Sequence, residues 1–411
     1  MPKKRKLLIT VGAGASIDFD MPSVRDVDKL LDEHAGKEYP LAADPSTNLY
    51  RFCRDAINLY YGGSPKSKRR KWTNFEEVLY QINLLISHVS DPSRLQGFNA
   101  LIMAPILPDV IDFGEVKPTD GHILRRLVNT SIDAIVDRFV DDCEKASKAK
   151  SIEIAELGKF LIALWEEFEI GIITLNYDDL ISQAMPGLHT GFNITGNFDP
   201  MSVLARTDWN FLYHLHGSVH FGMTGVDHDI HGITWVDSSS KSDAIYAYGR
   251  NSQDSMEGTP YPTSTIVAGY GKPQQILRQP FRTYFAQVNR LVHEADCLLF
   301  LGYGFSDLHL NAVFSEVRDR RRPIVIVDYA SDKQDALSFR YDDWSYNLTR
   351  TLRTNPGQMS RPGHLAPVSV AELRADYELE VSNDPNRPLA VWYNGMLEAC
   401  RHPEKILANL R

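Results

Sequence analysis

Leu7-Leu8-Ile9-Thr10-Val11-Gly12-Ala13-Gly14-Ala15-Ser16 is an apolar run of strand length that closes on a glycine-punctuated turn. It predicts a first β-strand feeding a dinucleotide-binding loop. Glycines there let the backbone approach a pyrophosphate and present N–H groups at a following helix N-terminus, where aligned peptide dipoles favour negative charge. The third glycine of the full fingerprint is missing, so the same residues also fit a structural strand-to-helix turn that admits no bulk. What the other strands carry at their ends decides between the two.

Gly171-Ile172-Ile173-Thr174-Leu175 is a β-branched run ending in Asn176-Tyr177-Asp178-Asp179. Cys297-Leu298-Leu299-Phe300-Leu301 ends in Gly302-Tyr303-Gly304-Phe305-Ser306-Asp307, repeating the opening theme, and Ile324-Val325-Ile326-Val327 ends in Asp328, an acid suited to an adenosine ribose. A doubly wound sheet gathers its ligands at the carboxyl ends of the strands. Asn176 and Asp178, one alternation apart, either point together into that crevice or cap the helix that follows. Phe211 to His220 reads as another strand, on which His214, His216 and His220 share one face. That raises a metal site, with Asp227, His228, Asp229 and His231 nearby, although the spacing matches no standard zinc pattern. A single general base, His216 before a turn glycine, is the simpler reading.

Ile17 to Pro22 reads as a loop, Ser23 as the N-cap of a helix running to Leu31, and residues 35–47 as a second loop. Helical periodicity then dominates around 48–61, 74–90, 121–148 and 151–169, which makes a large helical insertion over about 40–170. A further helix is expected over Arg282 to Glu294, and a last one over Leu389 to Leu410. The elements add up to an α/β chain: a Rossmann-like doubly wound parallel sheet with a large helical insertion and a C-terminal extension. Residues 1–330 are expected to form the nucleotide-binding domain, and 331–411 an extension suited to assembly contacts.

Composition narrows the partners. A chain of 411 residues, 43% hydrophobic, can bury a large core. The net charge of -9 argues against a general nucleic-acid surface. The basic run 66–71 beside Trp72 is either a local contact or a solvated loop. Cys53, Cys143, Cys297 and Cys400 are far apart, a reducing-compartment pattern without metal-ligand spacing. No run of about eighteen apolar residues is present to span a bilayer. A cytoplasmic location follows as the expectation, with Pro2-Lys3-Lys4-Arg5-Lys6 read as a solvated arm or a nuclear address.

Four motifs taken together resemble one family: Gly12-Ala13-Gly14-Ala15-Ser16, Thr174-Leu175-Asn176-Tyr177-Asp178, His214-Leu215-His216-Gly217-Ser218, and Gly302-Tyr303-Gly304-Phe305-Ser306-Asp307-Leu308-His309-Leu310-Asn311. In this order they are similar to the SIR2 (sirtuin-like) family, specifically its bacterial anti-phage defence branch. The resemblance implies that Gly12, Ala13, Gly14 and Ser16 form the pyrophosphate loop, and that Gly302, Gly304, Ser306 and Asp307 receive the adenosine half. Asn176 is implied to hold the nicotinamide ribose and the attacking water, Asp178 to contact the carboxamide, and His216 to be the catalytic histidine.

Departures from the family pattern narrow the activity. Only Cys297 and Cys400 follow His216, so the four-cysteine zinc module of protein-deacylating sirtuins is not formed and no metal is expected. Leu175 replaces the glutamine of the asparagine motif, and Ile17 to Pro22 lacks the deacylases' Phe-Arg pair. Those changes favour cleavage of NAD⁺, taken as a substrate, to nicotinamide and ADP-ribose in abortive infection. The alternative is a catalytically silent module that senses NAD⁺ or ADP-ribose and recruits a partner. The resemblance also implies a homo-oligomer and a separately encoded HerA-type hexameric ATPase, since no P-loop is present in the chain itself.

Overall fold

A computed structural model describes residues 4–62, 73–89, 107–224, 232–236, 253–256, 259–262, 264–269, 272–330, 343–353, 359–363 and 369–411. The basic run 66–71 and Asp227, His228, Asp229 and His231 lie outside them. The chain divides into two compact units, one of Met1–Met21, Asp142–Leu215 and Pro280–Arg411, the other of Pro22–Asp141 and His216–Gln279.

The first unit is built on one sheet. Its strands are β1 (Arg5–Val11), β2 (Phe168–Thr174), β3 (Asn210–His214), β4 (Cys297–Leu301), β5 (Ile324–Val327), β6 (Met359–Ser360), β7 (Glu380–Ser382) and β8 (Leu389–Trp392). Their order across the sheet is β6-β7-β8-β5-β4-β1-β2-β3. Six strands are parallel, with β6 and β7 antiparallel at the edge beyond β8. From β1 the chain builds outward to β3, returns to β4, and builds outward the other way, so the order reverses between β1 and β4. This is the switch point at which a doubly wound sheet opens a crevice.

Leu7, Leu8 and Ile9 are fully buried, as are Ile172, Ile173, Leu299 and Phe300. Continuous apolar strands of this kind belong to parallel sheets covered on both faces. The helices Ser151–Glu167, Gly395–Arg401 and Pro403–Leu410 pack together beside β2 and β5, whereas Phe281–Glu294 packs against β1, β3 and Leu308–Glu316. Buried Arg322 closes the helix Phe281–Glu294 by donating to the carbonyls of Val292 and Ala295 at 2.7 and 3.0 Å.

The second unit is mainly helical: Val24–Glu38, Leu49–Gly62, Phe75–Val89 and most of Gly121–Ala149, with short hairpins. Ser23 caps its first helix in a capping box with Asp26.

Four local readings change. Residues Ala13–Phe19, expected as a turn and loop, form a 3₁₀ helix that ends at Asp20 with φ 63°. The helix opened by Ser23 continues to Glu38, into the stretch read as a loop. Leu389 to Leu410 is not one helix: Leu389–Trp392 is a buried strand, then Gly395, at φ 84°, turns the chain into two short helices. The strand over Phe211 to His220 stops at His214, because Gly217 adopts φ 100° and no side chain fits its contact with the Thr265 carbonyl. His214, His216 and His220 therefore do not share a strand face. No helix among the described residues is long and apolar enough to cross a membrane.

Candidate active site

The glycines of the opening turn are explained by a backbone crossing. Gly12 N–H donates to the Leu301 carbonyl at 2.9 Å and Gly14 N–H to the Gly302 carbonyl at 3.0 Å, so the exits of β1 and β4 are laced together at the switch point. A Cβ on Gly302 would stand 1.9 Å from the Ala15 nitrogen, and one on Gly12 2.7 Å from the Gly302 oxygen. Gly302 also has φ 57°. No other residue type satisfies both the contact and the dihedral. The Ala15 amide turns back to the Gly12 carbonyl at 3.0 Å. Three loop amides are thus spent on the protein itself, and the following helix is 3₁₀ rather than α. The turn still leaves Ala13 and Gly14 exposed, and across from them Gly304 and Ser306 are exposed as well. A Cβ on Gly304 would meet nothing within 4 Å.

Behind the turn lies a buried polar chain. Asn176 Nδ2 donates to the Gly12 carbonyl at 3.0 Å and to Ser16 Oγ at 2.9 Å, and Ser16 Oγ donates to Asp178 Oδ2 at 2.7 Å. Asp178 Oδ1 accepts from the Leu180 N–H at 3.3 Å. The capping reading holds in part for Asp178, whose Oδ1 meets the N–H at the start of the next helix while its other oxygen joins the cluster. All three side chains are buried. Burial above all, with the neighbouring Asp179 charge, pushes the Asp178 carboxyl up to about 6 against the opposing hydrogen bond from Ser16. With both Nδ2 protons engaged, Asn176 has its side-chain oxygen left to offer a ligand, an acceptor for a hydroxyl or water.

On the far side of the crossing, Asp307 caps the helix Leu308–Glu316, Oδ1 accepting from the N–H groups of His309 and Leu310 at 3.1 and 3.0 Å. Asn311, one turn into that helix, donates through Nδ2 to the Phe305 carbonyl at 2.7 Å and accepts from the Tyr303 hydroxyl at 2.7 Å. It pins the Gly302–Asp307 loop from beneath. The motif alone gives Asn311 no role; its position four residues after the capping acid, hence on the same helix face, is the signal for one.

His216 belongs to the second unit. It is buried, and its carbonyl accepts from the Val267 N–H at 2.7 Å. His220 stacks on Trp235 at 4.4 Å with Nδ1 3.2 Å from the Val236 carbonyl. Among the described residues no group of three or more His, Cys, Asp or Glu side chains is placed to hold a metal ion. All four cysteines are buried, and burial pushes Cys53 up to about 12 and Cys297 up to about 11, away from thiolate chemistry.

Residues 170–349 match the family model described as a SIR2-like domain. The match begins within β2 and takes in Asn176, Asp178, His216 and the Gly302–Asn311 motif. The glycine turn lies outside it and is bonded to it through Asn176 and Gly302. Among solved structures, a SIR2 homologue in complex with NAD is 12% identical, covering 85% of this chain and 89% of that one with a TM-score of 0.34. A mutant Sir2 homologue with 2′-O-acetyl-ADP-ribose is 12% identical over 86% of this chain and 95% of that one, TM-score 0.33. Another mutant, with ADP-ribose, is 15% identical over 98% and 94%, TM-score 0.32. At that distance they add nothing to the sheet order and the match over residues 170–349. A comparison with curated proteins finds no match.

Proposed function

We propose that this protein is an NAD⁺ glycohydrolase that cleaves the nicotinamide–ribose bond to give nicotinamide and ADP-ribose. The observation that carries the reading is the Ser16–Asn176–Asp178 cluster at the carboxyl ends of β1 and β2, joined to the backbone crossing of Gly12 and Gly302. The match of residues 170–349 to a SIR2-like domain supports NAD⁺-dependent chemistry in general. Hydrolysis is preferred to deacylation because the sequence after His216 carries only two cysteines.

Nicotinamide leaves as a neutral molecule from a cationic pyridinium, so an enzyme has chiefly to stabilise an oxocarbenium-like ribose and position water. In this reading the Asn176 side-chain oxygen orients the water and a ribose hydroxyl. His216 takes the proton from the ribose or the water, and Asp178 grips the carboxamide. The exposed edge formed by Ala13, Gly14, Gly304 and Ser306 receives the diphosphate and the adenosine half, with Asp307 fixing the loop.

Purified protein incubated with NAD⁺ is expected to release nicotinamide and ADP-ribose, separated by chromatography. Asn176→Ala and His216→Ala are expected to lower the rate, the latter by about 10²–10⁴-fold, with unchanged far-UV circular dichroism. Undiminished cleavage in both variants overturns the assignment. Binding of ADP-ribose without nicotinamide release, with and without a partner ATPase, favours the sensing module instead. An enzyme that consumes NAD⁺ needs restraint, and we assign that restraint to assembly: a homo-oligomer working with a HerA-type ATPase in anti-phage defence.

A further inference from the structure

The helices Leu308–Glu316 and Asp343–Leu352 enclose a cleft of about 400 Å³ in the first unit. That lies within the size range of small-molecule sites, roughly 300–1,000 Å³. Arg318 stands on one wall and Arg350 on the other, with Asn347 and Ser315 between them and Leu308 and Ala312 as an apolar strip; no carboxylate lines it.

Two arginines nearby are neutralised, Arg320 by Asp296 at 3.5 Å and Arg353 by Asp319. Arg318 and Arg350 are not; among the described residues neither makes an ion pair. Arg318 Nη1 reaches the Arg350 carbonyl at 3.4 Å, and the Arg350 guanidinium is held over the Tyr346 ring at 5.6 Å. In a protein with net charge -9, two guanidinium groups left without carboxylates on facing walls of a cleft make a local anion site. The apolar strip and the amide of Asn347 add room for a base or sugar beside the anion.

We propose that this cleft binds a phosphate-bearing ligand of mononucleotide size, separately from the nicotinamide-cleaving site. Asn311 lines the cleft and also pins Phe305 and Tyr303 of the Gly302–Asp307 loop. A ligand seated against the helix therefore bears on that loop through one side chain. The phosphate sits between Arg318 and Arg350, and the remainder of the ligand lies along Leu308 and Ala312.

Isothermal titration of the full chain with AMP, adenosine and inorganic phosphate tests this. AMP is expected to bind, phosphate more weakly and adenosine not measurably. Arg318→Gln with Arg350→Gln is expected to weaken AMP by about tenfold or more, as loss of charge-assisted hydrogen bonds dictates. Both residues are exposed, so the double variant is expected to melt as the parent does. Gly304→Trp, whose side chain fills the exposed edge assigned above to the adenosine half, is expected to keep AMP binding, which separates the cleft from the other site whether or not that site cleaves NAD⁺. The proposal is overturned if AMP fails to bind at millimolar concentration, or if it binds the double arginine variant as tightly as the parent.

Discussion

At the scale of single residues, Asp178 sits in an environment far from that of an exposed side chain. It is buried, hydrogen-bonded by Ser16 and Leu180, and next to a second carboxylate. Its folded value of about 6 lies above that of an unfolded chain. The native state therefore holds the proton between about pH 4 and 6 while the unfolded chain releases it. Stability from this group is fully present below that window and falls as pH rises through it, by about 3 kcal/mol in total. Asp178→Asn removes the ionisation and is expected to gain stability relative to the parent from pH 4 to pH 7, read from urea melts at several pH values. A difference that does not change with pH would show that the carboxyl does not titrate there. The pairing of Asn176 with Asp178 was legible from strand alternation. The bridging Ser16 hydroxyl was not, because a bond between positions 16 and 178 has no local pattern in sequence.

Among the elements, the crossing of the β1 and β4 exits is the most constrained. Gly302→Ala places a methyl group against the Gly14–Ala15 peptide and forces alanine into left-handed backbone. A loss of about 3 kcal/mol or more is expected, since the left-handed conformation alone costs ~1–2 kcal/mol. A chemical-denaturation midpoint indistinguishable from the parent's would count against this account of the turn. Small residues at both exits were visible in the sequence, but a pyrophosphate and a second backbone demand the same glycines. The strands β2, β4 and β5 were readable because runs such as Cys297–Leu301 and Ile324–Val327 are short, apolar and bounded by turn residues. Leu389–Trp392 was not, because four apolar residues followed by Met396, Ala399 and Cys400 fit a helical face equally well. What made it a strand is a long-range fact: an open edge of β5 waiting for it.

For the molecule as a whole, β8 and the helices after it are part of the first unit's core. Val391 and Trp392 are buried, and Ile406 and Leu410 are fully so. Arg5, at the start of β1, donates to the carbonyls of Leu410 and Arg411. Truncation after Pro388 removes the sixth parallel strand and strips cover from β5. The shortened chain is expected to aggregate, measured as loss of the soluble monodisperse peak in gel filtration. A soluble truncated protein with native circular dichroism would mean that the sheet closes without it. The doubly wound class followed from strand-end motifs spread along the chain. The route of the last strand depended on packing that no local window contains.

The lacing of Gly12 and Gly14 to Leu301 and Gly302 also sets a clock on biosynthesis. The turn made first by the ribosome receives its support only after the β4 exit has been translated. At 5–20 residues per second that delay is on the order of tens of seconds. Until then the N-terminal strand has β2 but not β4 beside it, and the turn that Asn176 binds lacks the support of the β4 exit. The proposed NAD⁺ site is therefore incomplete while the chain is being made, held so by topology with no inhibitor needed.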